Sequence, residues 1–290
     1  MAFTIKELES LSGIKAHTIR IWEQRYNFLK PLRTTTNIRK YNNEELKTLL
    51  TVALLNKYGY KISQIDEMPN DQRVSALLKL QEPEAKDRYL VNELIGFMID
   101  LKNIEFEERL NQHIKNNGLS ESINIIFQFL EKVGLLWQSN KVNPAQEHIA
   151  ANIIRQKIIS AIDQLSLQVN DQLLVLLFLP EYEHHELGLL YVSYLFKKKR
   201  IASVYLGANV PLKDLEYIVE AKKPRFIYTH LTSFPRQLHF EKFLQQLSNQ
   251  SGETKILISG AVVSNYAKVL PPNIVLLQSV LQVNTFISDL

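Results

Sequence analysis

The chain has 290 residues, 46% of them hydrophobic and 22% charged, a balance that can bury a core and excludes a disordered or fibrous polymer. Cysteine is absent, which excludes a disulfide framework, a thiolate metal site and a cysteine nucleophile. The net charge of +4 sits entirely in residues 1–83, with 13 basic against 9 acidic side chains, whereas residues 84–290 hold 21 of each.

Within residues 1–41 the count is 8 basic against 3 acidic. Such an end suits a polyanion, because neutralising phosphates releases counterions, and charge alone suits a solvated basic surface equally well. The first ten residues carry acidic side chains where a signal peptide needs an apolar run. The longest apolar stretch, LLVLLFL at 173–179, is about a third of a membrane span and reads as a buried strand. The expectation is a soluble, cytoplasmic protein with no membrane partner. The length predicts two or three domains.

In chain order, Thr4 and Glu7 form a capping box at the start of a first helix, and Gly13 suits a left-handed turn after it. A second helix runs over residues 15–26, with Ile19 and Trp22 on the face toward the turn. Two short helices about such a turn make a helix-turn-helix. Pro31 extends the segment after it, Thr34 to Asn37 form a polar turn, and residues 38–41 a short strand, so this hairpin is a candidate wing. Asn42 then caps a further helix that continues through Leu55.

Residues 84–167 carry helical periodicity and little strand signal, with Ile123, Ile126, Phe127, Leu130, Val133 and Trp137 at i, i+3/i+4 spacing. Short connections favour a four-helix bundle. From residue 170 strand and helix alternate, with strands over 173–178, 201–206, 226–230, 255–259 and 274–277. This pattern predicts a parallel sheet covered on both faces, with ligands at the carboxyl ends of its strands. The domain expectation is therefore residues 1–78, 84–167 and 170–290.

A recognition helix needs short polar side chains near its start and Arg for phosphate or guanine; His17, Thr18 and Arg20 fit. Arg25 and Tyr26 lie at its far end, and Arg39 and Tyr41 on the wing, where each can meet the DNA backbone. Taken singly, each suits the charged outer face of a helical hairpin as well. The combined string Arg20-x-Trp22-Glu23-x-Arg25-Tyr26, then Leu29-x-Pro31-x-Arg33, then Arg39-x-Tyr41, resembles the DNA-binding domain of the MerR family of bacterial regulators over about the first 75 residues. That resemblance implies a winged helix-turn-helix on double-stranded operator DNA, gripped by a homo-oligomer, a dimer or a tetramer. The DNA contacts it implies are His17, Thr18, Arg20, Arg25, Tyr26, Arg33, Arg39 and Tyr41, with Trp22 in the domain core. Asn27 and Asn37 stand where the family has glycine, and Asn accepts a left-handed backbone better than most residues.

Further along, Glu183-x-His185-x-x-Gly188 follows the first sheet strand. An imidazole two residues after a carboxylate can bind a metal while the carboxylate holds its other nitrogen, although a His-His pair is more often surface polarity. With Thr229-His230-Leu231 and Ser259-Gly260 downstream, the segment resembles the cobalamin-binding module of corrinoid proteins, a flavodoxin-like fold. Trp137, nine residues, then Glu147-His148 is similar to the bundle signature of the MerR-type cobalamin photoreceptors of the CarH/LitR group. Read alone, Trp137 is core packing and Glu147-His148 a helix-start pair.

The resemblance implies His185 as the lower ligand to the cobalt of cobalamin, in its adenosyl form, with Glu183 orienting it. It puts Trp137, Glu147 and His148 on the upper side, and Gly188, Thr229, Leu231, Ser259 and Gly260 around the nucleotide tail. It implies a non-enzymatic repressor whose oligomerisation and DNA binding follow bound cobalamin, with loss of the upper ligand, by light or by chemistry, as the trigger. Thr229, Ser259 and Gln138 depart from the pattern, which has Ser, Gly and, in photoreceptors, His. They speak for a rival: a cobalamin-independent regulator whose degenerate domain serves oligomerisation or a protein partner. A corrinoid methyl-transfer enzyme is the second rival, against which the DNA-reading end argues.

Overall fold

The computed structural model describes residues 2–138, 142–165, 170–235 and 239–290. The expected boundary near residue 167 lies outside these, as does the side chain of Gln138. The chain divides into two compact units, Met1–Ile153 and Ile154–Leu290.

In the first unit, α1 (Ile5–Ser12) starts at the capping box of Thr4 with Glu7 and ends at Gly13, whose φ of 74° is open to glycine at little cost. Helix α2 (Ala16–Arg25) follows and buries Ile19 and Trp22 beside Leu8 and Leu11 of α1. Each such side chain, once fully enclosed, stabilises the unit by roughly 1.5–3 kcal/mol. Strands β1 (Leu32–Arg33) and β2 (Arg39–Lys40) pair antiparallel, and Asn37 closes their turn at φ 60°. Asn27, the other departure from glycine, keeps a negative φ, and its amide donates to the Asp66 carboxylate at 2.8 Å. Its expected left-handed turn is not what the chain uses.

Helix α3 (Asn43–Lys57) begins at a second capping box, Asn42 with Glu45. Helices α4 (Ile62–Glu67) and α5 (Asn70–Lys79) complete the N-terminal part, and Arg73 of α5 donates from Nε to the Ile65 carbonyl at 2.9 Å. Helices α6 (Pro83–Ile99), α7 (Asn103–Gln138) and α8 (Pro144–Asp163) supply the bundle pattern. Gly118, at φ 79° and ψ 164°, breaks α7 in two, so four helical rods result. Leu101 lies past the end of α6 and is exposed at φ 55°. Lys47 of α3 bonds Glu44 at 2.8 Å and also Asp100, which joins α3 to the end of α6.

The second unit is built on strands β3 (Asn170–Pro180), β4 (Ile201–Val210), β5 (Phe226–His230), β6 (Lys255–Ser259) and β7 (Ile274–Leu277). All pairs are parallel and the order is β4-β3-β5-β6-β7. Helices α9 (Leu187–Lys198), α10 (Leu212–Lys222), α11 (Phe240–Gln250) and α12 (Val280–Ser288) connect and cover it. One face packs Val175, Leu177 and Tyr228 against Leu189, Val192 and Phe196. The other packs Leu176, Phe178 and Ile227 against Leu215 and Leu244. Burial on both faces is why these strands read as continuous apolar runs.

The chain leaves β3 for β4 on one side and then returns to β5 on the other. That reversal opens a crevice at the carboxyl ends of β3 and β5, the place where flavodoxin-like sheets take their ligands. Among the described residues no helix is long and apolar enough to cross a membrane.

Candidate functional site

Two clusters of predicted site residues take shape, one in each unit. In the first, His17, Arg20 and Arg25 point outward from α2 and are exposed, while Thr18 is half-buried. Tyr26 caps the end of α2 and stacks on Phe28, with ring centroids 6.0 Å apart. The wing is organised by a residue that sequence reasoning did not single out as a site residue. Glu23, its side chain only 11% exposed, accepts from Arg39 Nε at 2.6 Å, Tyr41 Oη at 3.1 Å and Arg33 Nη2 at 3.2 Å. Arg33 also donates to the Asn37 side chain at 2.8 Å.

Tyr41 corrects one expectation. It is fully buried and its backbone pairs with Phe3, so the ring is not on the surface where a phosphate could reach it. Burial, with Glu23 beside it, pushes its phenol well above the usual range, so it stays a neutral donor. Its part is to hold Glu23 and the wing in place.

In the second unit the chain turns sharply after β3. Tyr182 sits at φ 70°, a strained value for a bulky residue, and its amide is held by Asn209 Oδ1 at 3.0 Å. The turn drives Glu183 inward, 2% exposed, where its carboxylate becomes a hub. Oε1 accepts from the amides of His184 and His185 at 2.8 and 2.9 Å and from His185 Nδ1 at 2.6 Å. Oε2 accepts from the Ser233 amide at 2.6 Å and its hydroxyl at 3.3 Å. Burial alone would raise this carboxyl, but the bonds from His185 and Ser233 outweigh it and hold Glu183 down at about 2.

A carboxylate on Nδ1 makes that nitrogen the protonated one and places the lone pair on Nε2. The His185 side chain is 60% exposed, at the switch point between β3 and β5. Its neighbour Glu186 is the N-cap residue of α9 but makes no capping bond with its side chain; its carboxylate accepts from Arg155 at 2.8 Å and Tyr205 at 3.2 Å.

The remaining expected residues gather at the end of β5. Thr229 and Leu231 are fully buried, and Ser259 nearly so. Thr229 Oγ1 has no hydrogen-bond partner among the described residues, which costs about 1–3 kcal/mol for a buried hydroxyl. Gly260 is at φ 103°, and a methyl group there would stand 2.3 Å from the Leu231 carbonyl oxygen. A methyl on Gly188 would stand 2.3 Å from the ring of His230. In the sequence His230 stands only as the variable residue between Thr229 and Leu231. Its Nδ1 lies 2.8 Å from Ser259 Oγ, which lies 2.6 Å from Tyr228 Oη. Enclosure lowers its pKa to about 4, and the nearby His185 pushes the same way against the opposing pull of Glu183.

Trp137, Glu147 and His148 belong to the first unit. Trp137 is 57% exposed near the end of α7 rather than in the core. Glu147 lies in the first turn of α8, with Oε2 3.0 Å from His148 Nδ1.

The donor set has a definite chemistry. Among the described residues no three His, Asp or Glu side chains converge into a metal cage. One imidazole with a carboxylate behind it supplies a single axial bond, which fits a metal whose other ligands arrive in a macrocycle. The orphaned Thr229 hydroxyl is a second feature that a ligand group would satisfy.

Comparisons with known proteins agree with this division of labour. Residues 3–71 match the MerR HTH family of regulatory proteins, and residues 90–160 match the B12 binding domain. The HTH-type transcriptional repressor CarH of Myxococcus xanthus is 24% identical over 272 residues, covering 84% of each chain. The HTH-type transcriptional repressor CarA of the same organism is 23% identical over 277 residues, covering 93% of this chain and 90% of that one. Among solved structures, the Methanosarcina barkeri monomethylamine corrinoid protein superposes with a TM-score of 0.55 at 13% identity, covering 70% of this chain and all of the other. That likeness is one of fold. The chain thus joins a segment similar to the MerR HTH family of regulatory proteins, over residues 3–71, to one similar to the B12 binding domain, over residues 90–160.

Proposed function

We propose that the chain is a transcriptional repressor that binds its operator as a homo-oligomer and that its grip on DNA is set by cobalamin held on His185. The observation that carries this is the buried Glu183 carboxylate bonded to His185 Nδ1 at 2.6 Å, at the switch point of a flavodoxin-ordered sheet. When bound, the group would supply a cobalt able to accept the His185 imidazole nitrogen and, in the adenosyl form, a carbon–cobalt bond that light can break.

The chain's own residues do the rest. Glu183 keeps the Nδ1 proton and so directs Nε2 outward; Ser233 and the two loop amides keep Glu183 ionised and fixed. Thr229 offers a buried hydroxyl to any group entering at the end of β5. On the DNA side, His17, Thr18 and Arg20 meet base edges, and Arg25, Tyr26, Arg33 and Arg39 the backbone, with the charges of Arg33 and Arg39 partly spent on Glu23. A ligand shifts such a system only by binding one arrangement of the oligomer more tightly than another.

The test is a gel shift of a promoter fragment with and without adenosylcobalamin, in darkness and after illumination, alongside the visible spectrum of the purified chain. A corrin spectrum that changes in His185→Ala, with DNA retardation that depends on the vitamin, supports the proposal. An unaltered affinity and spectrum in His185→Ala refutes ligation.

One observation favours the rival in which the domain takes no corrinoid and serves oligomerisation or a protein partner. The imidazole of His230 stands against Gly188 and is tied to Ser259. Absence of any corrin absorbance after incubation with the vitamin would establish that rival.

A further inference from the structure

We propose that His230 is a specificity-determining plug: its imidazole fills the space beside Gly188 at the end of β5, so the chain takes corrinoids lacking a nucleotide tail in preference to those carrying one. The proposal rests on the corrinoid reading above and extends it to a residue that reading does not use.

Three features of the structure carry it. The first is position. His230 is the last residue of β5, so its ring stands at the crevice between β3 and β5, beneath the loop that presents His185. A planar macrocycle held through His185 would turn one face toward this crevice, and a chain hanging from that face would have to enter it.

The second feature is occupancy. The ring lies so close to Gly188 that even a methyl group there would be 2.3 Å from its Cδ2 and Nε2 atoms. Glycine at this position therefore accommodates the protein's own imidazole. A benzimidazole nucleotide, far larger than that imidazole, can pass only after the ring has moved.

The third is retention. The ring is held by a chain of bonds, Tyr228 Oη to Ser259 Oγ at 2.6 Å and Ser259 Oγ to His230 Nδ1 at 2.8 Å. Displacing His230 breaks the second bond and leaves a buried hydroxyl short of a partner, a penalty that falls on tailed ligands and not on tailless ones.

The experiment titrates the full-length chain with hydroxocobalamin and with diaquocobinamide, which shares the ring and cobalt and has no nucleotide, following visible absorbance. It is repeated on His230→Ser, which removes the ring, and on His230→Asn, which keeps a polar partner for Ser259 in a smaller volume. The quantity read is the ratio of the two dissociation constants within each protein. Such a ratio is insensitive to a reduced folded fraction, and the cost of releasing cobalamin from its own base is common to all three chains. The expected result is a preference for cobinamide in the parent chain that falls by about tenfold or more in both variants. Binding of both ligands with a ratio unchanged among the three chains overturns the plug and leaves the corrinoid reading standing. Failure of all three chains to bind either ligand overturns both.

Discussion

The carboxylate of Glu23 and the guanidinium of Arg39 meet at 2.6 Å, the shortest of three bonds through which α2 holds the wing. The pair explains how a two-stranded hairpin with exposed apolar side chains at Leu32 and Ile38 keeps one orientation. A hairpin of this length is not stable alone, so it borrows rigidity from α2.

Replacing Glu23 with Gln removes the charge that holds Arg33 and Arg39 and weakens the acceptor of a fully buried Tyr41 hydroxyl. A loss of about 1–3 kcal/mol in the stability of the first unit is expected, the range for a disrupted, mostly buried charged network. Urea unfolding followed by circular dichroism measures it, and operator affinity by fluorescence anisotropy should fall with it. Wild-type stability together with wild-type affinity in Glu23→Gln would remove the anchor from the account of the wing.

The exposed arginines of α2 separate by a different measurement. Arg25 lies at the far end of the helix and is expected to meet phosphate, so Arg25→Ala should weaken binding to all duplexes alike and reduce the salt slope by about 1. Arg20, nearer the start, is expected to reach a base edge, so Arg20→Ala should cost about 1–3 kcal/mol on the operator and relax specificity at one position. Anisotropy titrations on operator and scrambled DNA at several salt concentrations distinguish the two. Equal losses on both duplexes for Arg20→Ala would move Arg20 to the backbone.

Much of this arrangement is legible in the residues themselves. The strands at 226–230, 255–259 and 274–277 have the bounds their apolar runs predict, because side chains buried on both faces end where polar or turn-forming residues begin. Strands β3 and β4 extend beyond prediction, to Asn170–Pro180 and Ile201–Val210, because backbone pairing continues through polar residues and bulges that hydropathy does not register. The Glu183–His185 pair is local, so its spacing is visible in the sequence, while its role as a ligand pair is what the resemblance implies. The contacts of Glu23 with Arg39 and of Gly188 with His230 span 16 and 42 positions and depend on register and helix placement. Tyr41 shows the converse: an aromatic beside basic residues reads as a DNA contact, yet its pairing with Phe3 buries it.

The enclosed imidazole of His230 makes the second unit acid-sensitive. Its folded pKa is about 4, below the ~6.5 of an unfolded histidine. Below that higher value the unfolded chain takes up a proton that the folded chain refuses, so the stabilisation is fully present above pH ~6.5 and is lost as pH falls toward 4. At 1.36 kcal/mol per unit, the loss between pH 7.5 and 5 is about 2 kcal/mol. Glu183, held at about 2, stays ionised across that window, and His185 is the other titratable group near the ring. His230→Asn retains both and lacks the imidazole, so urea midpoints at the two pH values should differ by about 2 kcal/mol less than in the parent. Equal pH dependence in the two proteins would mean the ring is protonated where it stands.

Gly188 and His230 should also be coupled in stability. Gly188→Ala places a methyl where the imidazole lies, and the neighbour it meets is a ring fixed by Ser259 rather than the loose end of a long chain. Overpacking of that kind costs typically about 1–3 kcal/mol. In a His230→Ser background the ring is gone and the same substitution meets open space, so most of its cost should disappear. The double variant should therefore be less destabilised than the sum of the two single variants by about 1–2 kcal/mol, measured from urea unfolding of the four proteins. An additive cycle would show that the helix start, and not the imidazole, is what requires glycine at this position.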